Sequence, residues 1–99
     1  MKKLNFERVS DNGDATSNYK VSINETMTLR ELKEMVLSDK KEWGYIRIGK
    51  DWRSPNYIEY RRGRVIEDNR GEYSGNEVIT SMKASGGWSR MDYYVEVEQ

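Results

Sequence analysis

Ninety-nine residues carrying 17 basic and 17 acidic side chains make a chain of zero net formal charge, long enough for one small domain that buries roughly two-thirds of its unfolded surface. The absence of cysteine and histidine excludes disulfides, thiolate chemistry, zinc sites built on those residues, Ser-His-Asp or Cys-His catalysis and an imidazole proton shuttle. A metal would have only hard oxygen ligands, which leaves calcium or magnesium.

The chain opens Met1-Lys2-Lys3-Leu4-Asn5-Phe6-Glu7, a basic start with no apolar run behind it. No stretch approaches the ~18 apolar residues of a membrane span, so the expectation is a cytoplasmic protein without a membrane partner. Leu4, Phe6 and Arg8 share one face of a first strand. Asn12-Gly13-Asp14 supplies turn residues. Tyr19, Val21 and Ile23 alternate with Lys20, Ser22 and Asn24 in a half-buried second strand.

One helix start is written almost in full. Thr28 and Glu31 have the spacing of a capping box, and Met27 and Leu32 that of a hydrophobic staple. Leu29, Leu32 and Val36 recur at helical spacing with Met35 beside them. Lys40 and Lys41 stand where cations favour a helix C-terminus. The helix is expected at about 29 to 39.

The remainder reads as strand or turn. Tyr45-Ile46-Arg47-Ile48 is a strand. Pro55-Asn56 opens another, with Ile58 and Tyr60 on one face, and Arg62-Gly63 turns the chain into Arg64-Val65-Ile66. From Glu67 to Glu77 the sequence is polar and without period, a loop. Val78 to Ala84 is a strand, and Tyr93, Val95 and Val97 alternate with Tyr94, Glu96 and Glu98 in the last one. Seven Tyr, three Trp and five Met add apolar area to only 18 Leu, Ile, Val and Phe, so the core is expected to be rich in aromatics. The pattern predicts an α+β fold over residues 1–99: a single helix packed on a twisted, mostly antiparallel sheet. The strand-helix order is similar to the ubiquitin-like β-grasp.

Three segments, Glu42-Trp43-Gly44-Tyr45-Ile46, Ile58-Glu59-Tyr60-Arg61 and Ser85-Gly86-Gly87-Trp88-Ser89-Arg90-Met91-Asp92-Tyr93, resemble a set of small uncharacterised proteins of bacterial and phage genomes. The likeness covers about residues 19 to 97. It implies one compact domain and carries no assigned activity.

Two regions are candidates for recognition. Gly86, Gly87, Trp88 and Arg90 lie between two strands. Glycines there let backbone approach a ligand, and Trp and Arg are enriched at binding hot spots. The structural reading of the same loop has the glycines satisfying a hairpin or bulge that needs positive φ, with Trp88 capping the open end of the core. The second region is basic and aromatic. Residues 40 to 64 hold eight basic side chains against three acids, a net of +5, whereas residues 65 to 99 carry a net of −4. Trp43, Tyr45, Trp52, Tyr57 and Tyr60 are interleaved with those cations. Trp52, Arg53, Arg61, Arg62 and Arg64 are the residues a single-stranded nucleic acid would meet, by base stacking and backbone neutralisation. A solvated face is the plainer reading of such cations. Trp43 is expected in the core and Trp52 exposed.

Catalytic readings are weaker. Asp11-Asn12-Gly13-Asp14 lacks the further ligands of a calcium loop. Gly71-Glu72-Tyr73-Ser74-Gly75 lacks the lysine and helix of a phosphate loop. No nucleophile-base pair stands out, and one helix with a few strands leaves little room for a sugar cleft between two carboxylates. The sequence therefore favours a non-catalytic interaction module without cofactor or metal. It would take a protein partner, or form a homodimer, through a sheet edge or the 85–90 loop. Single-stranded nucleic acid is the alternative, and a minor enzyme or sugar binder using Trp88 a third.

Overall fold

The computed structural model of the protein describes residues 2–11, 13 and 16–98. Strands β1 (Leu4–Asp11) and β2 (Thr16–Ile23) precede a single helix, α1 (Leu29–Ser38). Then come β3 (Trp43–Ile48), β4 (Tyr57–Arg61), β5 (Arg64–Asn69), β6 (Ile79–Gly87) and β7 (Met91–Val97). All seven strands join one sheet in the order β1-β2-β6-β7-β3-β4-β5. Pairing is antiparallel except where β7 lies parallel to β3, with Ile46 opposite Tyr93 and Ile48 opposite Val95.

The sheet is thus two antiparallel units, β1-β2-β6-β7 and β3-β4-β5, welded by that parallel seam. Helix α1 links them in sequence. Its N-terminus forms as the spacing predicts: the Thr28 side chain accepts from the Glu31 N–H (3.3 Å), and the Thr28 N–H donates to the Glu31 carboxylate (3.0 Å). Two more first-turn donors find backbone acceptors. The N–H of Leu29 donates to the carbonyl of Glu77 and that of Arg30 to Gly75. The helix start therefore needs the 75–77 segment as well as its own cap.

One face of the sheet is apolar because alternate residues of adjacent strands coincide across the ladder. Val21, Met82 and Val95 fall in line, as do Ala84, Tyr93, Ile46 and Ile58. Against them pack Leu29, Leu32 and Val36 of the helix, with Met27. Tyr60 is the largest fully buried side chain. Its hydroxyl donates to the Met91 carbonyl at 2.6 Å, which satisfies both groups, and burial pushes its pKa well above the usual phenol range.

The expected α+β class is corrected by these pairings. Of the described residues, 55% are strand and 11% helix, so the protein is a mostly-sheet fold with a mixed seven-stranded sheet and one helix. The α+β expectation of one helix on a mostly antiparallel sheet gives way to that strand-dominated, mixed sheet. Two physical causes account for the difference. Every residue of β5 is exposed, so part of that strand shows no apolar alternation and reads as loop. The parallel seam joins segments far apart in sequence, and no local period encodes which strands become neighbours.

Candidate functional site

The β6–β7 hairpin places Trp88. Strand β6 continues through Gly86 and Gly87, which pair with Ser17 and Thr16 of β2. Only Trp88 and Ser89 form the turn, closed by the Gly87 N–H donating to the Arg90 carbonyl at 3.0 Å. Neither glycine has a positive φ, so the expectation of a left-handed turn is not met. Gly86 is required for another reason: a Cβ there would lie 2.2 Å from the Arg90 carbonyl oxygen. The hairpin is fixed to the sheet by the Trp43 N–H, which donates to the Ser89 carbonyl at 2.8 Å. Trp88 itself is 94% exposed. The expectation that it caps the core is corrected: the side chain stands almost wholly exposed on the hairpin turn.

Arg90 turns back onto the open face, the side of the sheet away from the helix. Its guanidinium sits 4.6 Å from the Trp43 ring centre and 5.8 Å from that of Tyr45. Arg47 follows, 4.7 Å from Tyr45 and 5.2 Å from Tyr57. Trp43, Arg90, Tyr45, Arg47 and Tyr57 thus form one alternating stack of rings and cations, the arrangement that ring quadrupoles favour. Trp43 is half-buried within this stack and not in the core as expected. Its strand position carries it to the opposite face from Ile46 and Gly44.

Across the same rung, Trp43 lies opposite Arg61, and Arg61 opposite Arg64. With the isolated Trp43–Arg90 bridge, Arg90 just before β7 stands in one row with Trp43, Arg61 and Arg64 of β3, β4 and β5, neighbours spaced about 5 Å apart. Arg62 completes the corner in the β4–β5 turn, where its φ of 49° and the 83° of Gly63 make the mirror-image turn suited to a hairpin. Lys40 packs near Gly63. Among the described residues, Arg90 pairs with Asp92 at 3.0 Å, whereas Arg61, Arg62 and Arg64 have no ion pair.

The structure therefore brings the two candidate regions together at one corner: Gly86, Gly87, Trp88 and Arg90 beside Arg61, Arg62 and Arg64. Trp52 and Arg53 are not part of it. They lie in the 49–56 loop, which leaves the far end of β3 and folds over the open face, where the Ser54 carbonyl accepts from Arg47 at 3.3 Å. Trp52 is 69% exposed, as expected, above Ser85, Lys83 and Tyr94. Arg53 is held by Asp51 at 2.8 Å, and that pairing keeps the Asp51 carboxyl below the usual carboxylate range. Of the Asp11-Asn12-Gly13-Asp14 segment, Asn12 and Asp14 lie outside the described residues.

Sequence reasoning missed the seat of Arg90 on Trp43, because only the parallel seam joins them. It also missed Glu42. This carboxylate is half-buried at the exit of the helix, and burial, with Asp39 nearby, raises its pKa. No helix among the described residues is long and apolar enough to cross a membrane. Comparison with protein-family models, with curated proteins and with solved structures finds no match.

Proposed function

We propose that the protein is a non-catalytic interaction module that docks a protein partner with the Trp88 hairpin and the arginine rung beside it. The observation that carries the reading is the 94% exposure of Trp88 on a turn whose base is fixed by three backbone contacts: the Thr16–Gly87 and Ser17–Gly86 pairs and the bond from Trp43 to Ser89. An exposed indole costs free energy in water and returns it on burial against a partner. Holding it on a short hairpin lowers the ordering cost of binding. Arg90, Arg61 and Arg64 then form a polar rim of the kind that surrounds aromatic anchors.

Trp88→Ala tests this. The variant should keep its fold, with stability within about 0.5 kcal/mol because the side chain is almost wholly exposed. It should lose a dominant protein partner in pull-down, while Trp52→Ala should retain it. Equal retention by both variants would remove the hairpin from the interface.

A second reading has its own observation. Arg61, Arg62 and Arg64 lack acidic partners among the described residues and flank Trp43, which suits single-stranded nucleic acid. In that case oligonucleotide affinity falls steeply with salt, and Arg61→Ala or Arg62→Ala reduces the logarithmic salt slope by about 1 each. Affinity unchanged by salt would dismiss it.

A further inference from the structure

A groove of about 900 Å³ runs between α1 and strands β1, β2 and β7. It is a separate surface from the Trp88 corner. Its walls are apolar: Leu4, Phe6, Tyr19, Met35, Met91 and Tyr93 line it. Three of these form an aromatic cluster. The Phe6 ring stands edge-on to Tyr19 at 5.8 Å and lies 6.4 Å from Tyr93. Phe6 is 44% exposed although it is the one phenylalanine of a chain short of apolar residues. Adding a ligand here would cover it.

The charges around the groove are one-sided. Glu31, Glu34, Asp39 and Glu42 line the helix side, against Lys2 and Lys3. Lys2 is already paired with Glu31. Of the described lining residues, that leaves Glu34, Asp39 and Glu42 against Lys3, and among the described residues none of the three has an ion pair. Glu42 is half-buried as well. A neutral apolar ligand would strip water from that carboxylate and offer nothing in return. An anion would be repelled. A bare divalent ion would meet apolar walls where it needs six or more oxygens. What complements both features is an ammonium head for the carboxylates and ring faces, carried on an apolar body for the methionine and aromatic floor. The volume lies within the ~300–1,000 Å³ of small-molecule sites.

We propose that this groove is a binding site for a small organic ammonium ion with an apolar body, the head seated by Glu42 and the body on Phe6, Tyr19 and Tyr93.

Three isosteric probes test it on the full chain: 4-phenylbutylamine, 4-phenylbutanol and 4-phenylbutyrate. Methionine labelled with carbon-13 at its methyl group supplies the reporters, since Met35 and Met91 line the groove whereas Met82 is buried in the core away from it. The amine should shift Met35 and Met91 saturably, leave Met82 still, and bind at least about tenfold tighter than the alcohol, the worth of one hydrogen bond to a charged group. The carboxylate should bind weakest. Glu42→Gln should bring the amine down towards the alcohol without changing the alcohol's affinity. Should that variant fold poorly, the comparison of the three probes on the unaltered chain decides alone, and an unmoved Met82 signal checks the fold in each sample. An alcohol that binds as well as the amine, a carboxylate that binds best, or no saturable shift with the amine would each overturn the proposal.

Discussion

Glu42 shows how a single residue's surroundings set its chemistry. Burial disfavours its charged form, and Asp39 adds repulsion, so its pKa is raised on folding. The folded state therefore binds this proton more tightly than the unfolded chain does. Ionised Glu42 weakens the fold above its raised pKa, and that penalty is relieved as pH falls through the raised value to the unfolded one. Glu42→Gln should raise the melting temperature at pH 7, and the gain should vanish at acid pH. Because water still reaches the carboxyl, the effect is a few tenths of a kcal/mol. An equal gain at both pH values, measured by thermal denaturation, would mean that packing and not charge is responsible. Little of this is legible in the sequence, where Glu42 is one acid beside Lys40 and Lys41. Tyr60 and Tyr93, distant in sequence, lie near enough for their hydroxyls to feel its charge.

At the scale of elements, what is encoded locally could be read and what is encoded by partners could not. The helix start was legible because the Thr28–Glu31 cap and the Leu29, Leu32, Val36 stripe are contiguous. Arg62-Gly63 was legible as a turn for the same reason. The glycines before Trp88 stand out in the sequence, but their purpose is tertiary. Gly86 lies where the Arg90 carbonyl comes within 2.2 Å of any added Cβ. Gly86→Ala should therefore cost about 1–3 kcal/mol, as overpacking against backbone does. Denaturant titration checks it, and a loss under ~0.5 kcal/mol would show that the hairpin can shift. The β4–β5 turn offers the opposite case. Arg62 occupies left-handed backbone at φ 49°, a conformation that asparagine tolerates better. Arg62→Asn should stabilise the fold by up to about 1 kcal/mol, part of the ~1–2 kcal/mol that left-handed backbone costs a side chain with no local hydrogen bond. If the corner binds an anionic partner, the same change weakens binding. Stability gained with binding lost would mark Arg62 as strained for a purpose; unchanged stability would show that the turn tolerates arginine without strain.

For the whole molecule, the two candidate regions were visible in the sequence as separate stretches, and their meeting was not. The parallel seam between β3 and β7 sets Arg90 on Trp43, and the β3–β4–β5 ladder extends that rung to Arg61 and Arg64. The same arrangement separates Trp52 from the corner by folding the 49–56 loop over the other part of the open face. Three tryptophans thus have three settings. Trp43 is stacked, Trp52 lies on the sheet and Trp88 stands clear of it. That difference is what makes the proposed interface testable by position.

A photo-crosslinking benzoylphenylalanine placed at position 88, and separately at position 52, makes the comparison in cells expressing the protein. Irradiation followed by mass spectrometry should give a discrete protein adduct from position 88, lost when Arg61 and Arg64 are both replaced by alanine, and none of that adduct from position 52. An adduct common to both positions, crosslinks to nucleic acid alone, or no adduct from position 88 would contradict docking of a protein partner through the Trp88 hairpin.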